Sequence, residues 1–238
     1  MIASLPMYDR PETAAVYDHL WHGMRAALGY GPKALTRSDD LWSAWQSPDL
    51  LFGQACSLPF RMGLRDRVDI VASAVHPLPV AAGHYCSRYV VRTEETRAKM
   101  SDFVGARAAV NGRDSHSGFV ALPEDLRATM FETGSHAASA RAIAEDRADI
   151  AAIDAVTWEM ILRWDACAGR LRVIGTSAAS PAPPFITAKG NDVSALFAAL
   201  KSAVAMLLPE ERLIIGVQDV VRLPNAAYLG LPVPATTA

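Results

Sequence analysis

The stretch from Gly134 to Asp154 constrains the fold most. It opens with Gly134-Ser135-His136, continues through an alanine-rich segment to Ala144, and closes on Ala148-Asp149-Ile150-Ala151-Ala152-Ile153-Asp154. Ser135 is a good N-cap, and the alanines suit a helix with a close-packed face. The run Ile150 to Ile153 has the composition of a strand buried on both faces, and it ends in a carboxylate. A helix followed at once by a buried strand is the repeating unit of an α/β layer with parallel strands. A second polar helix start lies upstream, Asn111-Gly112-Arg113-Asp114-Ser115-His116-Ser117-Gly118, behind the apolar strand Ala106 to Val110. Helix N-termini expose N–H groups at the positive dipole end and favour negative charge. Two such starts, each carrying Ser and His, can converge on one anion. No nucleophile with an evident base accompanies them in the sequence, so the pattern reads as binding.

The rest of the chain alternates strands and helices. Ile2 to Met7 reads as a buried strand, and Asp9-Arg10-Pro11 starts a helix that Gly29 closes. Asp39 to Trp45 is a short helix; Leu50 to Ala55 and Val68 to Val75 are strands. Tyr85 to Val91 is strand-like and Arg92 to Phe103 helix-like. Thr157 to Trp164 is a helix, Leu171 to Gly175 a strand, and Ser180-Pro181-Ala182-Pro183-Pro184 a stiff crossing. Phe185 to Ala188 is a strand, Asn191 caps a helix over 193–207, and Arg212 to Val217 is a final strand. The reading is α/β with mostly parallel sheets. In such sheets ligands bind beyond the carboxyl ends of strands, where both Ser/His segments and Asp154 fall.

Composition sets limits on partners. The 238 residues carry a formal charge of −2, which gives no general attraction to nucleic acid or to an anionic membrane. Any anion site must be local. No run approaches the roughly 18 apolar residues that span a bilayer, so no direct membrane insertion is expected. The three cysteines, Cys56, Cys86 and Cys167, are odd in number and widely spaced, with no disulfide framework and no metal-ligand spacing. The N-terminus has no basic segment followed by an apolar one. The expected location is periplasmic if a leader preceded Met1 and cytoplasmic if Met1 is the native start.

At Met7-Tyr8, Gln54-Ala55-Cys56, Asp114-Ser115-His116-Ser117-Gly118 and Gly134-Ser135-His136 with its following Ala-Asp-Ile-Ala-Ala-Ile-Asp, the chain resembles the phosphate/phosphonate-type substrate-binding proteins of ABC transporters. The resemblance covers nearly the whole chain and implies the two-lobed type II periplasmic-binding-protein architecture. Each lobe is then a mostly parallel sheet flanked by helices, with a ligand cleft between lobes. Residues 1–83 plus 178–238 form the first lobe and 84–177 the second. The alternative is a single continuous α/β domain. By the motif match Ser115, His116, Ser117 and His136 take the oxyanion-holding positions, with His116 standing where the phosphonate binders have a second hydroxyl residue.

Each candidate has a plainer role beside the functional one. Ser115 and Ser117 can donate to an anion or simply cap a helix. His116 can donate or be a satisfied histidine. His136 starts a helix, and its ring is expected to point toward the cleft. Asp154 either caps the next helix or orients a cationic or hydroxyl group of the ligand. Tyr8, Tyr85 and Gln54, at strand ends or near a crossing, either contact ligand or pack. No cofactor and no metal is expected; His116 and His136 lack a ligand-spaced partner set.

The resulting expectation is a monomeric, non-enzymatic protein that captures phosphate, a phosphonate or a phosphate ester by hinge closure, with a transporter permease or a sensor as reader. The competing expectation is a cytosolic enzyme on the same fold, of elimination or pyrimidine-synthesis type, using His and Asp as acid and base.

Overall fold

The computed structural model describes residues 1–234; the last four positions of the expected 178–238 segment lie outside the described residues. In chain order the elements begin with β1 (Ile2–Ser4), α1 (Ala14–Leu28), α2 (Leu41–Gln46), β2 (Leu50–Gln54), α3 (Ser57–Pro59), β3 (Val68–Val75) and β4 (His84–Tyr85). They continue with β5 (Ser87–Arg92), β6 (Ala108–Val110), β7 (Met130–Glu132), α4 (His136–Ala144), β8 (Ile150–Asp154), α5 (Ala155–Trp164) and β9 (Leu171–Thr176). The last are β10 (Ser180–Pro181), β11 (Pro184–Ala188), α6 (Val193–Met206), α7 (Pro209–Ile215), β12 (Asp219–Val221) and α8 (Asn225–Leu229). Two compact units result. Unit 1 is Met1–His84 with the chain from Pro181 onward, and unit 2 is Tyr85–Ser180.

Unit 1 holds a sheet in the order β1-β2-β11-β3-β12. β1 and β2 are parallel, and β11 runs antiparallel to both β2 and β3. β12 is antiparallel to β3. Unit 2 holds the order β7-β6-β8-β5-β9. There β6 is parallel to β7 and β8, whereas β5 runs against β8 and β9. Both sheets are therefore mixed. The cause is local to each unit. β5 and β11 follow the two passages of the chain between units; β5 enters its sheet from the edge where β6, β7, β8 and β9 end, and β11 from the edge where β1, β2 and β3 end, with β12 running the same way as β11.

Side-chain alternation builds the unit 2 core. Val90, Ala109, Ala151 and Ile153 face one cluster with Ala140, Ile143, Ala144, Trp158 and Ile161. Val91, Ala108, Val110, Ile150 and Ala152 face the other, with Phe103, Leu122 and Leu126. Because both faces are covered, every residue of β8 is buried, as expected for a strand inside an α/β layer. Alanines on α4 let that helix sit close to the sheet. In unit 1, α1 turns Val16, Tyr17, Leu20, Trp21 and Met24 inward at helical spacing. It approaches α6 closely where a Cβ on Gly23 would stand 3.3 Å from the Ala203 Cβ. Gly29 ends α1 at φ 79°, a left-handed cap that glycine adopts without strain.

Several sequence expectations need correction. β1 stops at Ser4, so Tyr8 lies in the turn beyond it. α1 starts at Ala14 after Thr13, not at Pro11. The Thr13 hydroxyl donates to the Tyr8 carbonyl at 2.7 Å and also accepts from the Arg10 N–H at 2.9 Å, which organises that turn instead. The segment from Arg92 is no long helix; only Met100–Phe103 forms a 3-10 turn. Arg97 there folds back on Glu95 and lies 4.3 Å over the Phe103 ring, local contacts that replace a helical ladder. Asp192, not Asn191, caps α6, accepting from Ser194 and Ala195. Asn191 instead donates to the Leu50 carbonyl and to Thr187. The expected strand at 212–217 is helix α7, with Pro209 at its first position, Glu211 closing back on the Leu208 N–H and Gly216 as left-handed cap. Capping signals there outweigh the β-branched pair Ile214-Ile215. No single helix among the described residues is long and apolar enough to cross a membrane.

Candidate functional site

The carboxyl edge of β7, β6 and β8 gathers the polar residues of unit 2. β6 is fully buried and releases the chain at Asn111. Ser115 then caps a short π-helical turn, His116–Val120, its Oγ accepting from the Gly118 N–H at 2.9 Å. The i→i+5 bonds from Val120 to Ser115 and from Ala121 to His116 define that turn. π-helical turns of this kind occur often at functional sites. The Ser87 hydroxyl donates to the Ser117 carbonyl at 2.9 Å and ties the turn to β5. A Cβ on Gly118 would come 1.7 Å from Asn111 Oδ1 and 2.9 Å from its Cγ, so any larger residue there displaces the Asn111 side chain.

α4 begins beyond β7, with Ser135 accepting from the Ala138 N–H at 3.1 Å. This start places His136 Nε2 2.9 Å from Ser117 Oγ. The two Ser/His segments therefore meet through their side chains. His136 is partly exposed as a residue, but its Nδ1 is enclosed and makes no hydrogen bond of normal geometry among the described residues. Burial pushes the imidazole from 6.5 down to about 4, with the Ala152 backbone opposing that shift. The ring is thus neutral near pH 7, with one donor and one acceptor nitrogen.

His116 is buried, with Nε2 3.1 Å from Ser180 Oγ and its ring 6.5 Å from that of Tyr85. Tyr85 and Ser180 are the unit 2 residues at the two passages of the chain. His116 thereby links the Ser115–Gly118 turn to both. Asp154 ends β8 and caps α5, its Oδ1 accepting from the Val156 and Thr157 N–H groups at 2.7 and 3.1 Å. That oxygen is spent on the helix, which is the plainer of its two expected roles. Ser115 Oγ likewise has a capping role, although its hydrogen remains available to donate.

Unit 1 presents a corresponding edge. Gln54 ends β2, 1% exposed, with Nε2 donating to the Pro183 carbonyl at 3.4 Å. Tyr8 is buried, and its ring lies edge-on to that of His76 with centroids 5.8 Å apart. His76 was not among the sequence candidates. Neither were Ser180, Ser87 and Asn111. The signal for His76 was present: it directly follows the clear strand Val68–Val75, as Asp154 ends β8. Ser87 had none, because only pairing of β5 with β8 sets it opposite Asp154.

Residues 2–216 match the sequence profile of the phosphonate-binding family, described as the ABC transporter, phosphonate, periplasmic substrate-binding protein. The chain belongs to this family. Among solved structures, the phosphonate-binding family member is similar to the binding-protein component of an ABC phosphonate transporter from Pseudomonas aeruginosa. The identity is 14% and the TM-score 0.75, covering 96% of this chain and 83% of that one. PhnD1 from Prochlorococcus marinus, in complex with methylphosphonate, is similar at 12% identity and TM-score 0.72, covering 96% and 94%. A histidine kinase sensor domain with similarity to periplasmic binding proteins gives 18% identity and TM-score 0.65, covering 92% and 97%. No curated protein matches by sequence. The fold is the two-lobed type II periplasmic-binding-protein fold.

Proposed function

We propose that this family member captures a small oxyanion, a phosphonate, phosphate or phosphate ester, and hands it to an ABC transporter permease from the periplasm. The observation that carries this reading is the Ser117–His136 pair at 2.9 Å on the carboxyl edge of the unit 2 sheet. With the proton of the neutral His136 on Nε2, the ring donates to Ser117 Oγ and the Ser117 hydrogen turns to a ligand oxygen; with it on Nδ1, facing the Ala152 backbone, Ser117 is the donor to the ring. Ser115 Oγ–H and the first N–H groups of the turn add donors. These are neutral groups, which bind an anion by oriented dipoles and need no full positive charge. On this reading the solute is held by both lobes, and hinge closure removes water from it. The protein acts as a monomer. Tyr85, Tyr8, Gln54 and Asp154 complete the candidate set, with Asp154 acting through the helix start that it caps.

The enzyme alternative gains little. Ser117 and His136 do have the separation of a nucleophile and its base, but among the described residues the group beside the His136 ring is the Ala152 backbone and not a carboxylate that would orient the imidazole for that role. Membership of a transporter solute-binding family agrees with the non-catalytic reading.

Calorimetric titration with phosphate, methylphosphonate and a phosphate ester tests the proposal, with ligand recovered unchanged. Saturable binding that weakens in Ser117→Ala supports it. Absence of binding to all three, or turnover of the ligand, refutes it.

A further inference from the structure

The turn that carries Ser115 and Ser117 in unit 2 is not self-supporting. π-helical turns occur mostly as bulges inside longer α-helices, whereas His116–Val120 stands alone between Ser115 and Ala121, with Gly118 at its centre. Two i→i+5 bonds close it, from the Val120 N–H to the Ser115 carbonyl at 3.1 Å and from the Ala121 N–H to the His116 carbonyl at 2.9 Å. Glycine adds backbone freedom where the chain must be fixed. The aim of the Ser115 and Ser117 hydroxyls therefore depends on what the rest of unit 2 does to the turn.

The carbonyl end of the turn is held from two sides. Arg127 Nη2 donates to the Val120 and Leu122 carbonyls, each at 2.8 Å, and Nε donates to the Leu122 carbonyl at 3.0 Å. The guanidinium lies 4.9 Å from the centroid of the Phe119 ring, which belongs to the same turn. A planar fork of donors suits this double grip on two carbonyls. The Tyr89 hydroxyl donates to the Ala121 carbonyl at 2.8 Å. Burial pushes that phenol up, so its proton stays in place. Three successive carbonyls, those of Val120, Ala121 and Leu122, thus each take a side-chain donor. Both anchors are themselves fixed. Tyr89 sits on β5, between β8 and β9. Arg127 lies in the 3-10 segment Glu124–Thr129, where Leu126 is buried in the core and the Thr129 hydroxyl donates to the Ala106 carbonyl.

We propose that Arg127 and Tyr89 are positioning residues of the oxyanion site: they brace the carbonyl end of the turn and so keep the Ser115 and Ser117 hydroxyls aimed before the anion arrives. This rests on the oxyanion reading above. A turn already in place spares the ordering cost of binding, so loss of the brace shows in affinity and not only in stability.

The test is calorimetric titration of the intact protein and its variants with methylphosphonate, joined to hydrogen exchange of the Val120 and Ala121 amides without ligand. Arg127→Met is expected to weaken methylphosphonate about tenfold and to speed exchange at those two amides more than along β8. Tyr89→Phe is expected to weaken it about threefold. In a Ser117→Ala background Arg127→Met should cost about threefold or less, because the hydroxyl that it aims is gone. A folded Arg127→Met that binds like the unmodified protein overturns the proposal. So does a loss of equal size with and without the Ser117 hydroxyl. If Arg127→Met does not fold, Tyr89→Phe taken through the same cycle decides, and unchanged affinity there overturns the proposal. Either result leaves the oxyanion reading standing. Absence of binding to the unmodified protein instead overturns that reading, and the positioning role falls with it.

Discussion

The carboxyl edges of the two sheets are built alike and differ in the hydrogen-bonding groups they gather, although the unit 2 edge also holds an acceptor unmatched among the described residues, Asn111 Oδ1. In unit 2 the edge of β7, β6 and β8 displays donors: the Ser115 and Ser117 hydroxyls and the His136 imidazole paired with Ser117. In unit 1 the edge above β2 and β3 holds two acceptors unmatched among the described residues, Gln54 Oε1 and His76 Nε2. Both contain a histidine held neutral by loss of water around its ring. What separates them is the partner of each ring. A backbone carbonyl at Nδ1 fixes His76 Nε2 as an acceptor, whereas the His136 ring lies between the Ser117 hydroxyl at Nε2 and the Ala152 backbone. Strand order therefore chooses the place, and single hydrogen bonds to neighbouring groups choose the polarity.

The contrast can be broken in several ways. Gly118→Ala should have the largest effect, because its Cβ would meet Asn111 Oδ1 at 1.7 Å. Loss of oxyanion binding and about 3 kcal/mol of stability are expected. Asn111→Ala in the same chain should restore part of both, read by chemical denaturation and titration. Acid comes next. A histidine whose folded pKa is about 4 and whose unfolded value is near 6.5 binds fewer protons folded than unfolded between those values. Stability should therefore be full above pH 6.5 and fall as pH drops toward 4. His76 contributes on the order of 2 kcal/mol of that loss at pH 5. Thermal midpoints across this window should flatten in His76→Phe, and an unchanged pH slope would show that the ring is not kept neutral by burial. Ser117→Ala should weaken oxyanion affinity about tenfold and lower the thermal midpoint by a few degrees, because His136 Nε2 loses its partner. The smallest effect on binding belongs to Asp154→Ala, which should lose about 1 kcal/mol of stability with the cap of α5. A large fall in affinity there would return Asp154 to direct ligand contact.

Much of the architecture was legible in residue pattern. Val68–Val75 is the clearest strand in the sequence and forms β3 with the same limits. The alanine-faced helix and the strand to Asp154 were legible because one residue type dominated each. Legibility failed where short-range contacts compete with propensity. Ile214-Ile215 looks like a strand, but Pro209, Glu211 and Gly216 cap a helix around it. Arg92 to Phe103 has helical composition, yet Arg97 pairs with Glu95 two positions away. At the candidate site, residue types showed which groups can meet an anion. They did not show that Ser117 and His136 touch, that Asp154 Oδ1 is used by the backbone, or that the His76 ring meets that of Tyr8.

The sequence by itself determined the α/β class, the family and the two polar helix starts, because periodicity, capping residues and glycines act over one or two turns of chain. Tertiary structure alone decided the direction of β5 and β11 and the tautomer of His76. It also decided which buried oxygens and nitrogens keep an unused lone pair. Those outcomes depend on groups far apart in the chain, such as His76 with Gly216 or Gln54 with Pro183. Their hydrogen bonds exist only once strand order has brought the segments together.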